Sequence, residues 1–170
     1  VVLKVSEEPG VEAIVLGADG SGTSLLAVPA GGSAKPITAE NIADRDQFMK
    51  MNGNEVFKFA VRVIPKATLD ALAQSGHSVE DLDWLVPHQA NARILNTVEE
   101  RLGIAHEKVY SNVEWTGNTS SASIPVGIDD LYTSGRLQPG DLIALVGFGA
   151  GLTWGAAIVR WTMDSPAREA

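Results

Sequence analysis

Residues 142–159, LIALVGFGAGLTWGAAIV, carry no charge. An apolar window of that length can cross a bilayer as a helix, and Gly147, Gly151 and Gly155 recur at the spacing of a helix-dimerisation motif. Two features oppose that reading. Glycines weaken a helix interior, and LIALV and AAIVRW are rich in the β-branched and aromatic residues that suit strands. The run is therefore expected to form two buried strands joined by a glycine turn. Such strands need a sheet to join, and the rest of the chain must supply it.

It does so in pieces. VVLKV (1–5) and VEAIVLG (11–17) read as strands joined by SEEPG, with Pro9 and Gly10 placed for a turn. Residues 18–47 are rich in Gly, Ser, Ala and Pro and read as a long loop. Asn54 is placed to cap a helix running to about Gln74, with Val56, Ala60, Val63 and Ile64 at helical spacing, and Pro65 should kink or interrupt it. SVEDLDWLVP suggests a short helix start and then a strand over 83–86. ANARILNTVEERLG is an amphipathic helix on Ile94, Leu95, Val98 and Leu102, stopped by Gly103. KVYSNV reads as a strand, Asn118-Thr119 as the cap of a helix to about Ser134, and TMDSPAREA as a frayed tail. Strands alternating with helices predict an α/β domain.

The net charge of −8 argues against nucleic acid as a partner, because phosphate neutralisation needs Lys and Arg. The absence of cysteine excludes disulfides and cysteine-ligated metals and fits a cytoplasmic protein. No signal peptide is visible, since Val1-Val2-Leu3-Lys4 runs into Glu7-Glu8. Without an initiator methionine these first residues read as mid-strand, and a longer parent protein is expected.

Three short stretches carry polar residues suited to chemistry. His88 in VPHQANARI follows strand 83–86 at its carboxyl end, where open α/β sheets place ligands; a histidine satisfied by a loop carbonyl is the plain alternative. Asn118 in GNTSSASIP stands at a similar junction, where an ordinary helix cap explains it equally well. GFGAGLTWG packs glycines into a turn whose exposed amides suit an oxyanion, or simply make a tight turn. His77 and His106 lie outside these stretches and are given no role.

Taken together, in this order and spacing, these stretches closely resemble the C-terminal half of β-ketoacyl-acyl-carrier-protein synthase III, a member of the thiolase-like superfamily. SEEPG, ADGSG and GNEVFK extend the resemblance from Val1 to about Trp161. It implies an acyltransferase that starts fatty acid synthesis. A cysteine takes an acyl group from acyl-coenzyme A, malonyl-acyl-carrier protein loses CO₂, and the resulting carbanion attacks the acyl-enzyme. The resemblance makes His88 and Asn118 the histidine and asparagine of a Cys-His-Asn site. Those residue types suit such chemistry, because two neutral donors can hold the negative enolate oxygen left by decarboxylation, provided the imidazole is uncharged. By the same resemblance the Ala150 amide serves the second oxyanion, where many relatives have glycine. The resemblance also places Asn54, Phe57 and Asn91 along the pantetheine tunnel of the coenzyme A thioester, with core packing as the competing reading of Phe57. It implies that Gln89, Ala90, Asn91, Ala92, Arg93 and Lys58 meet the acidic carrier protein, with Arg62, Lys66 and Arg101 as further basic candidates, and an ordinary solvated charge is the plain alternative for each of these cations.

The implied fold is thiolase-like: two similar halves, each with a mixed five-stranded sheet, in α-β-α-β-α layers. On that plan residues 1–20 are a remnant of the first half, 21–49 a connecting loop, 50–161 the second half and 162–170 a tail. The nucleophilic cysteine belongs to the N-terminal half, so a missing half is an implied partner and this piece alone is expected to be inactive. A homodimer is implied; a metal, a cofactor beyond the coenzyme A substrate, a membrane and nucleic acid are not. Two other readings stay open: a related secondary-metabolite synthase of starter-unit or quinolone type, and a non-catalytic binding half.

Overall fold

The computed structural model describes residues 3–164. Its main sheet is mixed and four-stranded, in the order β1-β6-β5-β4, with β1 at Val11–Ala18, β4 at Trp84–Pro87, β5 at Leu142–Gly149 and β6 at Thr153–Arg160. The uncharged C-terminal run is a hairpin in this sheet, since β5 and β6 pair antiparallel from Leu142–Arg160 to Gly149–Thr153. Gly151 sits at the hairpin turn with φ +136°, and a Cβ there would meet the Thr153 side chain at 2.7 Å, so only glycine fits. Strand β4 joins β5 in parallel and β1 joins β6 antiparallel. Thus β1, drawn from the stretch assigned to a first-half remnant, is an edge of the same sheet as residues 84–160. A fifth position next to β4 is held by one bridge, Leu85 to Val109, where a strand over KVYSNV was expected. That stretch leaves the ladder because the Asn112 N–H turns to the Gln89 side chain, 3.0 Å away, and a short helix α3, Val113–Thr116, follows.

Helix α1, Gly53–Ser75, covers one face of β1, β5 and β6. Its cap is Asn52, whose side chain accepts from the Glu55 N–H, so the expected cap at Asn54 moves two residues upstream. Pro65 lies inside the helix without interrupting it. A proline leaves the carbonyl four residues earlier without its helical donor. That carbonyl belongs to Val61, and it accepts from the Arg101 guanidinium at 2.9 Å. Arg101 comes from α2, Ala92–Leu102, which packs on α1 and ends at left-handed Gly103 as the sequence predicts. Ile64, Ala67 and Leu72 of α1, Leu85 of β4, Val98 of α2 and Ile158 of β6 meet in one core, each at most 1% exposed.

A second core lies across the sheet, where Leu131 of α4, Ser123–Thr133, and Leu137 bury Val86 and Ile143. A short 3₁₀ turn over Ser120–Ala122 comes first, so α4 begins at Ser123 and not directly after a cap at Thr119. Residues 78–82 form a turn closed by Asp81 on Ser78, not a helix start. The long segment after β1 is mostly irregular, as expected, with a two-residue ribbon of β2, Leu26–Ala27, and β3, Lys50–Met51. The strand expected over 1–5 is absent from residues 3–5. Leu3 and Val5 stand exposed and pair with no strand. Residues 1–2 and the last part of the expected tail lie outside the described residues. Among those described, no helix is long and apolar enough to cross a membrane.

Candidate active site

A cavity of about 1180 Å³ opens at the carboxyl ends of β4 and β5. The first turns of α1, α2 and α4 and the β2–β3 ribbon complete its walls.

His88 enters from the end of β4. Leu85, Val86 and Pro87 before it are buried, and its own N–H donates to the Val146 carbonyl at 2.8 Å, adding one rung to the β4–β5 ladder. The backbone is therefore held by the sheet. The ring is half-buried and stands edge-on to Phe148, centroids 5.8 Å apart at 67°, with Nδ1 2.7 Å from the Ser123 hydroxyl. Burial pushes the imidazole below its ordinary pKa, outweighing the upward pull of the Ser120 carbonyl. A neutral ring at pH 7 follows, the state in which an imidazole can donate without carrying charge.

Asn118 lines the same cavity from the opposite loop. Its Oδ1 accepts from the Ser120 N–H at 2.9 Å, so the cap-like contact expected as the plain alternative is present. That contact uses the carbonyl end of the amide and leaves Nδ2 as a donor. The loop bends through Gly117 at φ +67° and Ser120 at φ +54°. A left-handed serine costs on the order of 1–3 kcal/mol, and the bond its N–H donates to Asn118 helps to offset it.

Ala150 completes the third side, exposed in the turn after β5, and accepts on its carbonyl from the Thr153 hydroxyl at 3.0 Å. Asn54 and Phe57 line the α1 wall, and the Arg93 guanidinium lies over the Phe57 ring at 5.2 Å. Asn91 both lines the cavity and caps α2 by accepting from the Ile94 N–H at 3.0 Å. Ala90 and Ala92 sit beside it.

Two residues expected at a carrier-protein surface do not line the cavity. Gln89 is 0% exposed: it donates to the carbonyls of Pro87 and Tyr110 and accepts from Asn112 N–H, so it ties the site to the core and cannot touch a partner. Lys58 is exposed on α1 and pairs with Glu55 at 2.8 Å. Of the further basic candidates, Arg101 is committed to the Val61 carbonyl and Lys66 to Asp70. Nothing in the sequence singles out Ser123, one of three nearby serines that pattern alone cannot rank, nor Met49 and Met51, which form part of the wall. No group of three or more His, Cys, Asp or Glu side chains able to hold a metal occurs among the described residues.

Residues 72–161 match the family described as 3-oxoacyl-[acyl-carrier-protein (ACP)] synthase III C terminal. The β-ketoacyl-[acyl-carrier-protein] synthase III of Symbiobacterium thermophilum is 51% identical over 161 residues, which cover 95% of this chain and 49% of that protein. A crystal structure of 3-oxoacyl-(acyl carrier protein) synthase III from Pseudomonas aeruginosa matches 96% of this chain and 48% of its own, with TM-score 0.82 and 38% identity. The priming β-ketosynthase of the R1128 polyketide pathway matches 95% of this chain and 47% of its own, with TM-score 0.79 and 35% identity. The chain spans about half the length of the curated relatives it matches.

Proposed function

The chain belongs to the 3-oxoacyl-[acyl-carrier-protein] synthase III C-terminal family, and from that premise we propose that its cavity is the decarboxylation side of an acyl-condensing site. The substrates are an acyl-coenzyme A and a malonyl-acyl-carrier protein, joined by decarboxylative Claisen condensation. The observation that carries this reading is that His88, Asn118 and Ala150, from three separate strand ends and loops, line one cavity.

When malonyl thioester loses CO₂, its electron pair moves onto the thioester oxygen. An amide N–H from Asn118 Nδ2 and an N–H from the His88 ring stabilise that oxygen without being consumed. The Ala150 amide takes the oxyanion formed when the carbanion attacks the acyl-enzyme. The α1 and α2 wall, through Asn54, Phe57 and Asn91, receives the pantetheine arm common to both substrates, and Arg93 is the basic contact for an acidic carrier protein. Because this chain holds no cysteine, the nucleophile comes from a partner half. A cytoplasmic homodimer of such pairs is the assembly we propose.

The test pairs this chain with a cysteine-bearing half. His88→Ala should abolish malonyl decarboxylation while the cysteine still accepts a labelled acyl group. Decarboxylation at the unsubstituted rate would sink the role of His88. Binding of carrier protein without turnover by the unsubstituted pair would instead identify a non-catalytic binding half. The likeness to a polyketide priming synthase makes acyl-chain choice the further measurement, since specificity follows pocket shape rather than fold.

A further inference from the structure

Ser123 stands in the first turn of α4 and is 1% exposed. A serine hydroxyl has one proton to give and two lone pairs to receive. Three partners surround its oxygen. The Gln89 N–H donates to it at 3.2 Å, the Ser120 carbonyl accepts from it at 2.9 Å, and His88 Nδ1 lies at 2.7 Å. The backbone N–H can only give, and the carbonyl can only receive. The Ser120 carbonyl also receives the Ser123 backbone N–H. With the hydroxyl proton given to its other lone pair at 2.9 Å, Oγ has no proton left for the ring, and Nδ1 at 2.7 Å fills the remaining lone pair by donating to it. A neutral imidazole has one N–H, so its other nitrogen then holds a bare lone pair.

We propose that Ser123 is a positioning residue that fixes the proton of His88 on Nδ1, so that Nε2 is a hydrogen-bond acceptor in the resting site. The inference deepens the proposed function and rests on it for its consequence. At rest Asn118 Nδ2 is the ready donor for an enolate oxygen, and His88 is not. For Nε2 to donate, the ring takes a proton there from water and releases the one on Nδ1 to water, with no net change. The Ser123 hydroxyl then turns from Ser120 to give its proton to Nδ1. The Gln89 N–H stays on Oγ throughout, and the Ser120 carbonyl gives up the hydroxyl but keeps the Ser123 backbone N–H. Buried hydroxyls that serve a histidine from behind in this way select its tautomer and hold its ring.

The experiment uses this chain alone, labelled with ¹⁵N-histidine, in long-range ¹H–¹⁵N spectra at about pH 8, above the ordinary histidine range. The His88 resonances are those that His88→Ala removes. The expected result is a protonated, pyrrole-type Nδ1 and a lone-pair, pyridine-type Nε2. Ser123→Ala should move Nε2 toward the protonated position, and Ser123→Thr should restore it. A pyrrole-type Nε2 in the unsubstituted chain overturns the proposal, as does a Ser123→Ala spectrum that superimposes on it. If Ser123→Ala does not fold, the unsubstituted spectrum decides. The measurement needs no substrate or partner half, so its failure is separate from failure of the decarboxylation test on His88→Ala.

Discussion

The two halves of the main sheet have nearly the same apolar composition and different surroundings. In the inner half, β4 and β5 are covered on both faces: Leu85, Ala144 and Val146 face the core under α1 and α2, while Val86 and Ile143 face α4, and all five are at most 1% exposed. In the outer half, α1 covers only one face. Ala13 of β1 is 4% exposed, but its neighbours Ile14 and Leu16 are 55% and 79% exposed. A strand that is apolar on both sides states a capacity for burial; the helices available decide how much of it is used. Here the capacity is filled where the sheet must hold His88 and left open away from it.

If α1 is the shared cover of both halves, its deepest contacts should dominate stability. Ile64→Ala is expected to cost about 2–5 kcal/mol, the range for a large side chain lost from a closed core. Ile14→Ala, the same kind of truncation on the bare face, should stay within about 0.5 kcal/mol. Urea unfolding of the two variants measures the difference directly. Equal losses would mean that Ile14 is covered in solution and that the contrast between the halves is false.

The next effect concerns how α1 survives its own proline. Arg101→Ala strips the donor from a buried carbonyl at Val61 and should cost about 1–3 kcal/mol. In a Pro65→Ala background the helix recovers a backbone N–H for that carbonyl, so the same substitution should cost much less. A double-mutant cycle reads the coupling. Additive losses would show that Arg101 acts by packing rather than by capping Val61.

The outer half has its own electrostatic clip. Glu12 of β1 accepts from Arg160 of β6 at 2.9 Å and contacts His77, just beyond α1, at 2.7 Å. Burial raises the Glu12 pKa, but the hydrogen bonds from His77 and Arg160 outweigh it, and the group ends below its ordinary value of 4.5. A depressed carboxylate stabilises the fold above its unfolded pKa, and that stabilisation is lost as pH falls through the folded value. Glu12→Gln should therefore cost about 0.2–1 kcal/mol at neutral pH, and the gap from the unsubstituted chain should close below pH 4.5. A gap that persists in acid would show that the carboxylate charge is not what holds this edge.

These contrasts also mark what is readable in the sequence. The hairpin of β5 and β6 is legible because a long uncharged run with glycines and β-branched residues admits few folds. The α2 helix is legible from its apolar stripe and Gly103. His88, Asn118 and Ala150 stand out because motif order carries more than any one residue. What stays hidden depends on distant partners. Pro65 reads as a break because the donor that rescues it, Arg101, lies 36 positions along the chain. Gln89 reads as a surface residue beside Arg93, but its amide is matched on every side by Pro87, Tyr110 and Asn112. KVYSNV has strand composition, yet one side-chain bond to Asn112 N–H turns it away. Ser123 is invisible because a hydroxyl's role is set by what surrounds it, and composition says nothing of that.

The smallest expected effect on stability tests the comparison most sharply. Leu16 pairs with Gly155 across β1 and β6, and a Cβ on Gly155 would meet the Leu16 side chain at 2.9 Å, so the leucine lies flat over a glycine rather than into a core. It lines a shallow groove with Gly17, Gly147, Phe148, Thr153 and Trp154. Leu16→Ser should leave the unfolding midpoint within about 0.5 kcal/mol of the unsubstituted chain, because little of this side chain leaves water on folding. The same change removes exposed apolar surface of the kind that drives association, so binding of an apolar dye and self-association in sedimentation should both fall. A large loss of stability would mean that the open half-face is closed by contacts within this chain, and the outer half would then be no different from the inner one. Unchanged stability together with reduced association would show that the open half-face contributes to contacts between molecules and not to the fold of the chain itself.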